Sequence, residues 1–224
     1  FRLAVKFMTP VILLSDGYLA HGSEPWKIPD TNNFPPISVK FHSDSTSFKP
    51  YSRNPKTLAR PWAIPGTPGL EHRIGGLAKE DLTGDVSYDP INNEKMVRLR
   101  AQKIANIAAF IPPATVLGDD HGVLLVLGWG STWGPITAAC EQLRQQGVRV
   151  SNTHLKHLNP FPSNLGDVLK RFKTVLIPEL NTGQLRLLIA NSYGVQAIRL
   201  SKVQGLPFLV SEIKENILKA MNNT

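Results

Sequence analysis

From residue 123 onward, short apolar runs alternate four times with helix-forming segments, and this alternation restricts the fold more than any other feature of the chain. Residues 123–127, a stretch within 148–158, residues 174–178 and residues 196–200 read as strands. Residues 135–146, 165–172, 182–192 and 210–221 read as the helices that follow, the first ended by Gly147 and the third near Gly194. Strands joined through helices pair in parallel by right-handed crossovers. The predicted fold class is therefore α/β, a doubly wound, mostly parallel sheet, and a region of this size can bury one core.

The preceding sequence has a different character. Half of the 18 prolines fall between Pro25 and Pro68, among Asn, Ser, Thr and Asp. Proline fixes φ and removes a donor, which disfavours long helices and central strands there. Trp26, Phe34, Phe41, Phe48, Tyr51 and Trp62 recur along the same stretch. So many aromatics predict an ordered arm rather than a loose linker. Residues 92–110 then show helical spacing, with Met96, Leu99, Ile104, Ile107 and Ala108 on one stripe and Pro112-Pro113 as the stop. Near the start, TPVILLSDGYLA (residues 9–20) holds four apolar residues in a row and reads as a buried strand, the last of a domain otherwise missing. The three expected regions are 1–22, 23–118 and 119–224.

Charge and cysteine content narrow the chemistry. The formal net charge is +8, and from Glu141 onward Lys and Arg outnumber Asp and Glu, a field that favours an anionic partner. No motif or basic run interleaved with aromatics points to nucleic acid. No run of about 18 apolar residues is present, so no membrane span is expected. The single cysteine, Cys140, excludes an internal disulfide and any cysteine-held cluster or zinc site built by this chain alone. It lies in a predicted helix as a small buried residue, and a reducing cytoplasm fits that usage.

The turn Gly128-Trp-Gly130-Ser131-Thr132-Trp-Gly134 joins the first strand to its helix. Glycines admit close backbone approach, and a helix start offers amides to an anion. Gly130, Ser131 and Thr132 are thus candidates for anion contact. The spacing is GxGxxxG, however, and the end of the next strand, 153–162, lacks the acid that would hold a ribose. A tight packed turn is the favoured reading, with an NAD(P)-binding oxidoreductase domain as the alternative. His154 and His157 would point to opposite faces of a strand and so do not suggest a metal site. Asp119-Asp120-His121 reads as a solvated turn. Glu179 follows a strand, where it can cap the next helix as readily as catalyse. His72 and Arg73, between Gly69 and Gly76, are candidates for a carboxylate or phosphate contact, with pairing to a neighbouring subunit the preferred role.

Five segments in order carry a resemblance: TPVILLSDGYLA (9–20), RPWAIPGTPGLEHRIGGLAKEDLTGDVSYDP (60–90), LGWGSTWG (127–134), LNPFP (158–162) and PELNTGQL (178–185). Together they resemble the alpha subunit of 2-oxoacid:acceptor oxidoreductases, most of all the 2-oxoglutarate:ferredoxin type. The resemblance implies oxidative decarboxylation with thiamine diphosphate and Mg²⁺, coenzyme A as co-substrate, and an iron–sulfur cluster passing electrons to ferredoxin. It implies a beta subunit that carries the pyrophosphate, Mg²⁺ and cluster sites, and hence a hetero-oligomer. On that plan residues 1–22 end the pyrimidine-side domain, residues 23–118 form the arm and bridging helix, and residues 119–224 match a transketolase C-terminal-like domain. The resemblance places the catalytic residues upstream of Phe1, so no catalytic or metal-binding residue is expected here. The 224-residue piece is expected to be inactive alone and mainly structural, a non-catalytic assembly module being a further alternative.

Overall fold

The computed structural model describes residues 1–222. Its first helices are α1 (Arg2–Phe7), α2 (Gly17–His21) and α3 (Pro90–Asn106). Two compact units are present, and each is described by itself. One comprises Phe1–Leu13 with Glu24–Phe110, and the other comprises Leu14–Ser23 with the chain from Ile111 onward.

In the first unit, residues 24–89 contain no helix or strand beyond a 3₁₀ turn at Thr31–Asn33 and isolated bridges, Phe41 with Trp62 and Lys79 with Val86. Side chains and single hydrogen bonds hold this arm instead of a ladder. The Trp62 indole donates to the Val5 carbonyl at 3.2 Å, Asn106 Nδ2 donates to Lys56 O at 3.1 Å, and Asn92 Nδ2 to Lys79 O at 2.8 Å. Helix α3 starts where Asp89 accepts from the Ile91 amide at 2.9 Å and Pro90 occupies the first turn, an N-terminus built from the two residue types that favour one. Met96 is its buried side chain, and a 3₁₀ turn over Ile107–Phe110, with Ile107 buried, closes it before the proline pair. Helix α1, which the sequence reading does not include, packs Phe7 edge-on against Phe110 at 5.2 Å.

The segment 9–20 is a correction. Residues 10–16 form no strand, and Ile12 and Leu13 are 83% and 91% exposed. The run then turns into α2. A strand needs a neighbour to take up its amides and carbonyls, and among the described residues this segment pairs with none.

The second unit is built on a five-stranded sheet: β1 (Val116–Leu117), β2 (Gly122–Trp129), β3 (Ser151–Leu155), β4 (Phe172–Glu179) and β5 (Ile198–Ser201), in the order β1-β3-β2-β4-β5. The four long strands are parallel, while β1, absent from the sequence reading, pairs antiparallel with β3 at the edge. Between them run α4 (Trp133–Gln145), α5 (Leu165–Lys170) and α6 (Gln184–Tyr193), and α7 (Val210–Asn222) follows β5. Alternation along β2 divides the core into two layers. Leu124 and Val126 face α4 and α7 through Ile136, Ala139, Leu143, Ile213 and Ile217, whereas Leu125 and Leu127 face α5 and α6 through Leu165, Val168, Leu185 and Ile189. Strands buried on both faces explain why the apolar runs read as continuous. Each fully buried Leu or Ile contributes roughly 1.5–3 kcal/mol of transfer free energy.

This order sets the crevice. The chain leaves β2 through α4 to reach β3 on one side, then returns through α5 past β2 to β4 on the other. Neighbouring strands β2 and β4 therefore send their following helices, α4 and α6, to opposite faces of the sheet. In an open α/β sheet such a reversal leaves a crevice at the carboxyl ends of the two strands, where ligands commonly bind.

Candidate functional site

At that crevice stand Trp129, which ends β2, and Glu179, which ends β4. The Glu179 side chain is 1% exposed. It accepts from the amide of Leu185 at 2.8 Å, from the amide of Arg186 at 3.2 Å and from the indole Nε1 of Trp129 at 3.3 Å. Burying a carboxylate is costly unless donors surround it, and here the first turn of α6 supplies two of them. Asn181 serves the same end, its Oδ1 accepting from Gly183 N at 2.7 Å and Gln184 N at 3.2 Å. Of the two roles the sequence leaves open for Glu179, the geometry occupies it with helix capping.

The glycine turn is bound inward in the same way. Thr132 Oγ1 donates to the Trp129 carbonyl at 2.7 Å and accepts from its amide at 3.2 Å, and Thr132 is buried. Gly130 takes φ 58°, the left-handed region where glycine carries no Cβ penalty. Gly128 has an ordinary φ, but a Cβ there would stand 2.6 Å from Ile136 Cδ1. Its role is close packing of α4 on β2. The Ser131 hydroxyl beside it, aided by the Leu19 amide, holds the Asp16 carboxyl below its usual range. Asp16 also caps α2, accepting from Leu19 N at 3.1 Å. Asp16 escapes the sequence reading, although an Asp directly before Gly-Tyr-Leu-Ala carries an N-cap signal.

His72 and Arg73 belong to the other unit and are not part of this crevice's own unit. His72 is half-buried, its Nδ1 2.8 Å from Leu70 O and its ring 5.3 Å from that of Phe48. Arg73 is exposed. The loop they sit on is anchored at Gly69, with φ 78° and a hypothetical Cβ only 2.6 Å from that of Ser45. It is anchored again at Lys79, whose Nζ reaches the carbonyls of Gly75 and Leu77 at 3.1 and 2.8 Å.

Metal-binding chemistry finds little to work with among the described residues: no group of three His, Cys, Asp or Glu side chains converges. Cys140 is buried, and desolvation pushes its thiol up to about 12. No described helix is long and apolar enough to cross a membrane.

Comparison with known proteins adds the following. Residues 1–87 match the family described as pyruvate flavodoxin/ferredoxin oxidoreductase, thiamine diphosphate-binding. A 2-oxoglutarate oxidoreductase subunit KorA of Mycobacterium tuberculosis is 50% identical over 98% of this chain, which covers 34% of that protein. The alpha subunit of 2-oxoacid:ferredoxin oxidoreductase 1 of Aeropyrum pernix is 30% identical over the whole chain, which covers 36% of it. Among solved structures, a 2-oxoglutarate:ferredoxin oxidoreductase from Magnetococcus marinus, with 2-oxoglutarate, coenzyme A and succinyl-CoA bound, matches 98% of this chain and 39% of its own at a TM-score of 0.91 and 30% identity. The chain thus spans about a third of the length of these curated relatives. With likeness running through arm and sheet alike, the chain is similar over nearly its whole length to 2-oxoacid:ferredoxin oxidoreductase alpha subunits, and its residues 1–87 match the thiamine diphosphate-binding family of these enzymes.

Proposed function

We propose that this chain is part of the alpha subunit of a 2-oxoglutarate:ferredoxin oxidoreductase. The reaction joins 2-oxoglutarate and coenzyme A into succinyl-CoA, releases carbon dioxide and a proton, and passes two electrons to two one-electron ferredoxin acceptors. The observation that carries the reading is the 50% identity to a 2-oxoglutarate oxidoreductase subunit over 98% of the chain. The coenzyme A and succinyl-CoA in the matching solved structure support the acyl acceptor.

The described residues do not themselves fit a thiamine diphosphate–Mg²⁺ site. Glu179, their one buried carboxylate, is committed to α6 and Trp129, and no metal-binding cluster forms. No step of the reaction is therefore assigned to a side chain of this chain. We read its part in the enzyme as architectural: side-chain bonds hold the arm, and the Trp129–Glu179 bond ties the ends of β2 and β4 in the sheet unit. A beta subunit would supply the pyrophosphate, Mg²⁺ and cluster sites, and the net charge of +8 suits docking of an acidic ferredoxin. The NAD(P) reading fares poorly on electrostatic grounds, since a pyrophosphate at the crevice would meet the carboxylates of Glu179 and Asp16 in its own unit.

Reconstitution tests the proposal. Full-length alpha and beta subunits should reduce a low-potential acceptor only when 2-oxoglutarate and coenzyme A are both present. Acceptor reduction independent of any 2-oxoacid would overturn it.

A further inference from the structure

We propose that the first unit carries a binding site for a polyphosphate group, in the cavity between α3 and the loop that ends at Lys79. The cavity holds about 440 Å³, within the range of small-molecule pockets. Arg53, Arg60, Lys79, Arg100 and Lys103 all line it, and no Asp or Glu does. The carboxylate that Arg53 pairs with, Asp81, is shared with Lys95 at 2.7 Å.

These cations are held together against their own repulsion. Lys79 is 5% exposed, and its ammonium meets two main-chain carbonyls but no carboxylate among the described residues. Burial of a cation without a counter-charge is costly. Lys103 donates to Met8 O at 3.0 Å. Burial first, then the charges of Arg60, Arg53 and Arg100, keep its amine below the ordinary lysine value. Arg60 is positioned over the Tyr51 ring at 4.6 Å with one bond to Pro50 O, and Arg100 makes neither hydrogen bond nor ion pair among the described residues. Donor-bearing guanidinium groups are thus left to face a ligand, and guanidinium forks match phosphate oxygens.

Gly75 and Gly76 give a second, independent indication. Both line the cavity. Neither has a positive φ, and a Cβ added at either would meet nothing within 4 Å. Packing and backbone strain therefore do not call for glycine here, whereas a bare main chain on a cavity wall lets a phosphate approach the amides closely. Five cations around one small volume call for a ligand of several negative charges, more than a single carboxylate carries.

The test is calorimetric titration of the full-length protein with inorganic triphosphate at about 0.15 M salt, where long-range attraction is screened. A parallel arm with ATP separates free polyphosphate from the phosphate tail of a nucleotide. Saturable binding at one site per chain is expected, weakened at least about tenfold, or 1.4 kcal/mol, by Arg100→Glu and by Lys103→Gln. Arg100 is exposed and holds nothing in place, so its variant keeps the fold, and Gly76→Ala, tolerated sterically, should also weaken binding. Absence of saturable heat, wild-type affinity in both charge variants, or equally tight binding of sulfate would each overturn the assignment.

Discussion

The indole of Trp129 donates to the carboxylate of Glu179 across the crevice, 3.3 Å from Nε1 to Oε1, so the ends of β2 and β4 are tied through a side chain that also caps α6. Glu179→Ala would strand three donors at once. A loss of about 3 kcal/mol in folding stability is expected, while Glu179→Gln, which keeps one acceptor, should lose about half of that. Urea melts of the two variants check this, and equal stability of wild type and Glu179→Ala would contradict the capping role.

Gly128 and Gly130 sit two residues apart but should respond differently to alanine. At Gly128 the new Cβ meets Ile136 Cδ1 at 2.6 Å, Thr132 Oγ1 at 3.1 Å and His154 Nδ1 at 3.2 Å. Overpacking of this kind costs about 1–3 kcal/mol, and adding Ile136→Val should recover part of it. At Gly130 there is open space, and only the positive φ opposes a side chain, which costs about 1 kcal/mol. Denaturation midpoints of the three variants measure the difference.

Native Cys140 should be inert. Its thiol is buried and raised to about 12, and the thiolate is the reacting species. An aromatic disulfide reagent at pH 8 is expected to label it only at the rate of unfolding. Rapid stoichiometric labelling of folded protein would show that α4 opens locally.

His154 should make the sheet unit acid-sensitive. Burial, and then the charge of Lys156, depress its pKa from 6.5 to about 4. The folded state therefore keeps the ring neutral while the unfolded chain takes up a proton below about 6.5. Stability is unaffected above that pH, falls as pH drops from 6.5 toward 4, and levels off beyond. The loss is on the order of 2 kcal/mol once partial solvent exposure is allowed for. Stability against pH for wild type and His154→Gln isolates it, since the variant should lack this slope.

The sheet unit was largely legible because its strands are buried on both faces and its helices end at Gly147 and Gly194, both at positive φ. Strand β1 was not, since two residues, Val116 and Leu117, show no period. Residues 11–14 misled in the other direction: an apolar run signals burial only where a partner lies alongside. Helix α1, six residues long, is too short for a periodic signal. At the candidate site, the capping of Glu179 could be anticipated from its place after a strand. The meeting of Asp16 with Ser131 could not, because it joins residues far apart in sequence through tertiary structure alone. The cavity cations escaped for the same reason, being spread from Arg53 to Lys103. The neighbouring loop drew notice through His72 and Arg73, neither of which lines that cavity.

Val11, Ile12, Leu13 and Leu14 face solvent in a stretch that belongs to no strand. A bare, uncharged apolar run of this kind is a ready template for β-pairing between copies. Concentrated solutions of the 224-residue chain will accordingly turn cloudy by self-association at this stretch, and Ile12→Lys, a gatekeeper charge at its centre, is the simplest remedy.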